Sequence, residues 1–276
     1  YIKAEKWYLK AAENNYPSGQ YNLGNLYENV KLDFFSAKKW YLKAAENNYS
    51  AGQFRLGRLY ESGKLGQPNY DEAVKWYLKA AENGYSEAQF NLGALYESGK
   101  LGSADYINAE KWYLKAIENG NLTAISNLAD NYLELKDYEK AIKYYKEYEK
   151  VADSPENYTW IAVAYENLED YKNAREWYFK ALKTEKDGFS ENHLGLMADN
   201  EGNQKEALKW YQASAQKGYL WGYSNLATTY IELGDYETAE KWVIKGLDLA
   251  KKSKDSDDAA VKKEMQDTYD YIQKVK

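Results

Sequence analysis

Apolar residues fall three and four apart along most of the chain, the spacing that puts them on one face of an α-helix. The clearest instance is AEKWYLKAAENN at Ala4 to Asn15, which recurs as AKKWYLKAAENN, AVKWYLKAAENG and AEKWYLKAIENG. Weaker forms follow around Tyr144, Trp177, Trp210 and Trp242, so the large ring stands at 7, 40, 76, 112, 144, 177, 210 and 242. A second string precedes every copy but the first: QYNLGNLY, QFRLGRLY, QFNLGALY, SNLADNY, WIAVAY, HLGLMA and SNLATTY. Its small residue falls at Gly24, Gly57, Gly93, Ala129, Ala162, Gly195 and Ala227, in step with the rings. Each unit therefore reads as a helix pair, A carrying Leu-Gly/Ala-x-x-Tyr and B carrying Ala-x-x-Trp-Tyr-x-Lys-Ala. A side chain of one hydrogen or one methyl lets a neighbouring helix approach closely. Leu23, Tyr27 and their equivalents fill the space beside it, and the Trp series is expected to be buried between consecutive units, each ring contributing about 1.5–3 kcal/mol or more.

These residues resemble known repeat families. The first half, with LGxLYESGKLGxxxYxxAxKWYLKAAENG, is similar to the Sel-one-like repeat, a 36-residue relative of the tetratricopeptide repeat with an extended loop between its helices. GKLG, at Gly63 to Gly66 and Gly99 to Gly102, occupies that loop, and its glycines suit turns of positive φ. From about Asn121 the loop shortens to ELKDYEKA, NLEDYKNA and ELGDYETA, and the units resemble ordinary tetratricopeptide repeats. The resemblance implies an all-α fold: a right-handed α-solenoid of antiparallel helix-turn-helix repeats, with A helices lining a concave groove and B helices outside. It also implies a role as adaptor or assembly platform, in keeping with the extended binding surfaces of solenoids.

On this reading residues 1–15 are the B helix of a truncated repeat, and 16–48, 49–84 and 85–120 are three Sel-one-like repeats. Residues 121–153, 154–186, 187–218 and 219–250 are four tetratricopeptide-like repeats. The tail, 251–276, opens on a charged Ser/Asp-rich stretch and then spaces Val261, Met265, Tyr269 and Ile272 as a C-terminal capping helix. The chain starts without Met inside a repeat, so further repeats are expected before Tyr1.

Composition sharpens the picture. Hydrophobic residues make up 44% and aromatics 16%, too much apolar surface for a disordered chain. Three prolines in 276 residues favour long helices. A net charge of −6 argues against nucleic acid as a partner, because phosphate neutralisation needs a contiguous cationic surplus. With no cysteine there is no disulfide or thiolate site, which fits either the cytoplasm or export without bridges. No apolar run reaches the length of a membrane span, so membrane insertion is not expected.

The residues offer no catalytic constellation, and neither an enzymatic activity nor a cofactor nor a metal is expected. The one histidine, His193, has no cysteine to work with and reads as a polar A-helix residue. Glu28, Glu61 and Glu97 recur at equivalent positions, whereas an acid–base pair needs two carboxyls in different environments at one place. Lys43, Lys79 and Lys115 each have a Glu three residues on, which partly cancels a basic stripe on the B helices. The expected function is a protein- or peptide-binding scaffold using the A-helix groove. The alternatives are a self-assembling solenoid that stacks end to end, or the non-catalytic repeats of a larger protein.

Groove candidates are the A-helix residues flanking the Leu-Gly/Ala pair: Asn22, Asn25, Arg55, Arg58, Asn91, Asn127, Asp130, Trp160 and His193. An Asn amide can both donate to and accept from an extended peptide backbone. Some tetratricopeptide proteins grip a C-terminal carboxylate with a Lys-Asn-Asn-Lys-Arg clamp; Asn25 and Asn91 fit it, but Tyr21, Phe54 and Phe90 stand where Lys is needed. Arg55 and Arg58 at one end, with Asp130 and Trp160 beyond, suit a polar peptide that is acidic at one end.

Overall fold

The computed structural model describes residues 2–152, 155–252 and 258–275, and among them every regular element is a helix. Tyr1, the 153/154 repeat boundary and most of the Ser/Asp-rich start of the tail (253–257) lie outside the described residues. The chain forms two compact units, Tyr1–Asp153 and Ser154–Lys276. The first contains α1 (Ile2–Glu13), α2 (Pro17–Leu26), α3 (Phe34–Glu46), α4 (Ser50–Glu61), α5 (Tyr70–Glu82), α6 (Ser86–Glu97), α7 (Tyr106–Glu118), α8 (Thr123–Glu134) and α9 (Tyr138–Ala152). The second contains α10 (Tyr158–Asn167), α11 (Tyr171–Ala181), α12 (Phe189–Asn200), α13 (Gln204–Gln216), α14 (Leu220–Glu232), α15 (Tyr236–Ala250) and α16 (Ala259–Val275). Even-numbered helices up to α14 are the A helices and odd-numbered ones the B helices. Each A helix packs on the B helix that follows it, and α2 also touches α4, α6 touches α8 and α12 touches α14. This is an all-α solenoid architecture, and its C-terminal cap is present: Val261, Met265 and Ile272 of α16 are buried against α14 and α15. Gly246 of α15 makes room for that cap, since a Cβ there would stand 2.5 Å from the Met265 sulfur.

Local chemistry starts and stops the helices. The seven B helices from α3 to α15 each follow an Asp or Asn, and six of these side chains are seen to accept from the N3 amide as N-caps: Asp33, Asn69, Asp105, Asp170, Asn203 and Asp235. Asp137 does the same for Lys140 ahead of α9. Within the repeats of short loop, the turn from A to B needs one residue at positive φ, supplied by Lys136 (59°), Glu169 (59°), Gly202 (74°) and Gly234 (78°). In the first repeat the loop is one residue longer, and the extra residue is absorbed as a π-helical turn, Tyr27–Lys31, ending in Leu32 at φ 53°. A left-handed conformation costs an L-residue about 1–2 kcal/mol, more than the unfolded-state entropy that Gly adds. Lys136→Gly and Glu169→Gly should therefore each stabilise by about 0.5–1 kcal/mol. Urea unfolding checks this, with Lys136→Ala as a control that shows no gain.

The core differs from expectation in one respect. Trp40, Trp76, Trp112 and Trp177 are buried as expected, but Tyr144, Trp210 and Trp242 are only half-buried. Trp7, in α1, is 66% exposed. The deeper ring is the neighbour of the Trp: Tyr41, Tyr77, Tyr113, Tyr145, Tyr178 and Tyr211 are the largest fully buried side chains among the described residues. Each of the four glycines of the A-helix motif lies on one of these rings, so that a Cβ at Gly24, Gly57, Gly93 or Gly195 would stand 2.5–2.7 Å from ring carbons of Tyr41, Tyr77, Tyr113 or Tyr211.

Successive repeats are also tied by polar groups. Buried Gln20, Gln53 and Gln89 donate to the carbonyls of Ala12, Ala45 and Ala81 in the preceding B helix. Their own carbonyls accept from Asn47, Asn83 and Asn119 at the end of the following B helix. In the second unit the equivalent pair is ionic: Lys217 Nζ lies 2.5 Å from the carboxylate of buried Glu191. The AENN and AENG strings thus hold a tie between repeats.

Candidate functional site on the A-helix face

The buried tyrosines end on the A helices. After passing beneath Gly24, the Tyr41 hydroxyl donates to Glu28 at 2.8 Å and lies 2.7 Å from the Asn25 carbonyl. Tyr77 donates to Glu61 at 2.7 Å, Tyr113 to Glu97 at 2.5 Å, Tyr145 to Asp130 at 2.5 Å and Tyr178 to Glu166 at 2.6 Å. Burial first, and the facing carboxylate next, holds the pKa of Tyr41, Tyr77, Tyr145 and Tyr178 far above the ordinary phenol value. These hydroxyls are therefore permanent donors.

The next A helix adds a further partner to several of these pairs. Asn91 and Asn127 donate to the Tyr77 and Tyr113 hydroxyls at 3.3 and 3.5 Å. Arg55 is hydrogen-bonded to Tyr21 and lies near Tyr41 and Glu28; burial opposes its charge, but these partners hold its pKa above the usual value. In the second unit His193 Nδ1 lies 2.9 Å from Glu166, with its ring against Tyr178 and Phe189. Burial pushes Glu166 up, yet bonds from His193 and Tyr178 outweigh it and leave its pKa below the carboxylate norm.

Most of the expected groove residues thus belong to one kind of network. Asn25, Arg55, Asn91, Asn127 and Asp130 join it in the first unit, and His193 in the second. Arg58 is exposed and acts on the network by charge, as a cation near Tyr77, while Asn22, on α2, is half-buried. Trp160 stands apart, 43% exposed and beside Phe189. The reading of the sequence missed the Tyr–carboxylate pairs themselves. Their signal was available, since Tyr77 follows Glu61 and Tyr113 follows Glu97 at one constant separation of 16 residues. It also missed where the B-helix lysines go. Lys43, Lys79 and Lys115 lie over the rings of Trp40, Trp76 and Trp112 at 4.6, 4.3 and 4.7 Å, a cation–π contact with the ring face.

Comparison with known proteins gives this architecture a family. The Sel1 repeat model matches residues 1–16, 17–49, 50–85, 86–121 and 193–219, more than half of the chain. The protein belongs to the Sel1 repeat family. Tetratricopeptide repeat models match 126–189 and 220–253, interleaved with the last Sel1 match. No curated protein matches the sequence. Among solved structures, a protective antigen of uropathogenic Escherichia coli displaying an SLR fold is similar over 99% of this chain at 24% identity and a TM-score of 0.58. The chain spans 59% of that antigen. Pseudomonas aeruginosa pilF (16% identity, TM-score 0.54, 77% of this chain and 96% of its own) and yeast Tom70 (16%, 0.53, 99% and 60%) share the fold. Repeats of these families generally serve as protein-interaction scaffolds. No helix among the described residues is long and apolar enough to cross a membrane.

The long Sel1 loop has an electrostatic task. Lys64 of the first GKLG reaches back to Glu28 at 3.1 Å, and Lys100 of the second comes within 4.0 Å of Glu61. The two loop leucines, Leu65 and Leu101, pack on the cores and anchor the turns. Beyond Gly120 the loop is short, and among the described residues no lysine stands against Glu97 or Asp130. Burial and the neighbouring charges of Asp130 and Glu134 raise the pKa of Glu97, and burial together with Glu134 raises that of Asp130. The A-helix face of this Sel1 protein therefore passes from neutralised carboxylates with two arginines on α4 to uncompensated carboxylates on α6 and α8.

Proposed function

We propose that this protein is a non-catalytic scaffold whose A-helix face, along α2 to α8, holds an extended segment of a protein partner. The observation that carries the reading is the ladder of Tyr–carboxylate pairs. It fixes the lining side chains before a partner arrives, which removes much of the ordering cost of binding. It also leaves the partner a charge gradient to read. Arg58 suits an acidic residue of the segment, and Glu97, Asp130 and Glu134 suit a basic one. Asn22, Asn25, Asn91 and Asn127 offer amides to the segment's backbone. In the second unit His193, held by Glu166, offers a second polar anchor of the same kind.

Selection from a displayed random-peptide library tests this. Binding peptides should pair an acidic with a basic position, and Arg58→Ala or Asp130→Asn should weaken the selected peptides about tenfold, the loss of one good charged contact. Lys111→Ala, on the B-helix side, should leave affinity unchanged. Peptides that ignore both A-helix substitutions, or that lose affinity with Lys111→Ala, would overturn the proposal.

A further inference from the structure

The second unit carries a pocket of about 360 Å³ that the Tyr–carboxylate ladder does not use. Its walls are two aromatic rings, Trp160 of α10 and Phe189 at the start of α12, with centroids 6.2 Å apart and planes inclined at 52°. Phe189 is held from its other sides by His193 at 4.3 Å and Tyr219 at 5.8 Å, so it is a fixed wall. Trp160 is 43% exposed, although rings of this size in the B helices are mostly buried. The rest of the lining is Pro155 and four polar residues, Thr159, Thr184, Glu185 and Asp187.

Those carboxylates are set in place by the backbone that precedes α12. Glu185 accepts from the Ser190 amide at 2.7 Å and from Thr159 Oγ1 at 3.2 Å, and is also bonded by the Ser190 hydroxyl. Asp187 accepts from the Phe189 amide at 3.0 Å. Among the described residues the lining contains no Lys or Arg. The nearby cation, Lys217, spends its ammonium on Glu191 and on the backbone carbonyl of Glu185. The pocket thus places two carboxylates, Glu185 and Asp187, beside two aromatic rings, and burial, with the adjacent Asp187 adding to it, raises the pKa of Glu185.

We propose that this pocket receives an arginine side chain presented by the protein partner. A guanidinium is planar and can lie against the Trp160 and Phe189 faces while its N–H groups fork onto Glu185 and Asp187. It is weakly hydrated, so it enters a half-buried aromatic site more readily than an ammonium does. The volume is at the low end for ligand pockets, about 300–1,000 Å³, and suits one side chain better than a larger organic ligand. That the arginine belongs to a protein rests on the scaffold reading above; the pocket's preference for a guanidinium does not.

The test isolates the pocket by using a monomeric probe. N-acetyl-arginine amide is titrated into the whole protein while the Trp160 indole N–H resonance is followed, that resonance being identified by its loss in Trp160→Phe. A saturable shift is expected, about tenfold weaker with the neutral isostere N-acetyl-citrulline amide and in Trp160→Ala. Asp187→Asn and Glu185→Gln keep the acceptor oxygens that cap α12, so both should fold and both should weaken binding. An equal response to citrulline, no response at all, or tighter binding of N-acetyl-trimethyllysine amide would overturn the assignment. None of these outcomes bears on the library selection, which reads the first unit.

Discussion

Tyr113→Ala should destabilise the first unit by about 3–5 kcal/mol, the range for removing a fully buried ring. Tyr113 is completely buried, lies over Gly93 and donates to Glu97, so the alanine leaves both a cavity and a carboxylate without its donor. Such a loss is a large part of the total stability of an ordinary domain. Because a repeat array is held by nearest-neighbour contacts, the thermal transition of the variant should broaden or split as the repeats around α6 and α7 open first. Tyr113→Phe separates the two causes. It keeps the ring, and Glu97 is half-exposed and can turn to water, so the loss should be only about 1 kcal/mol. Circular dichroism melts of the three proteins decide it: a phenylalanine as damaging as the alanine would mean that the hydrogen bond, and not the packed ring, holds the repeat together.

Gly93→Val should be the most damaging substitution at a small-residue position. A Cβ at Gly93 would stand 2.6 Å from two carbons of the Tyr113 ring, which is wedged against the α6 backbone. Overpacking of this kind costs about 1–3 kcal/mol or more, above the roughly 0.5 kcal/mol that valine gains over Gly in helix propensity. The two substitutions share one volume, so they should not add. In the double variant the valine methyls occupy space the ring has left, and the combined loss should be smaller than the sum by at least about 1 kcal/mol. The chain contains a natural version of this exchange: Ala227 is buried in one cluster with Val243, which stands where the other repeats have Tyr. Ala129 and Ala162 keep Tyr145 and Tyr178 opposite, so an added methyl is tolerated there with the ring in place. Additive losses measured by urea unfolding would show that Gly93 matters for its backbone and not for the ring above it.

Much of this protein is legible in its sequence because each repeat restates the same instructions. Helix pairs, their order, the Asp or Asn before each B helix and the cap spaced as Val261, Met265 and Ile272 are all local patterns, set by 3.6-residue periodicity and by side chains bonding to nearby amides. The candidate A-helix residues were also legible as a face, since their offsets from Leu and Gly/Ala fix which way they point. What they touch was not. Whether Glu61 is a solvated surface residue or the acceptor of Tyr77 depends on two side chains 16 positions apart meeting beneath a glycine. Lys64 and Glu28 are 36 residues apart, and only the packed loop brings the ammonium back to the carboxylate.

The sequence by itself determined an all-helical repeat architecture and the seven A–B pairs seen among the described residues. Tertiary structure decided that the Tyr beside each Trp, and not the Trp, is the deepest ring, because the small residue opposite leaves a slot one ring thick. It decided too which carboxylates remain unneutralised: charge balance is a property of neighbours in space, and the loop that supplies Lys64 and Lys100 to two repeats is too short to do so for Glu97.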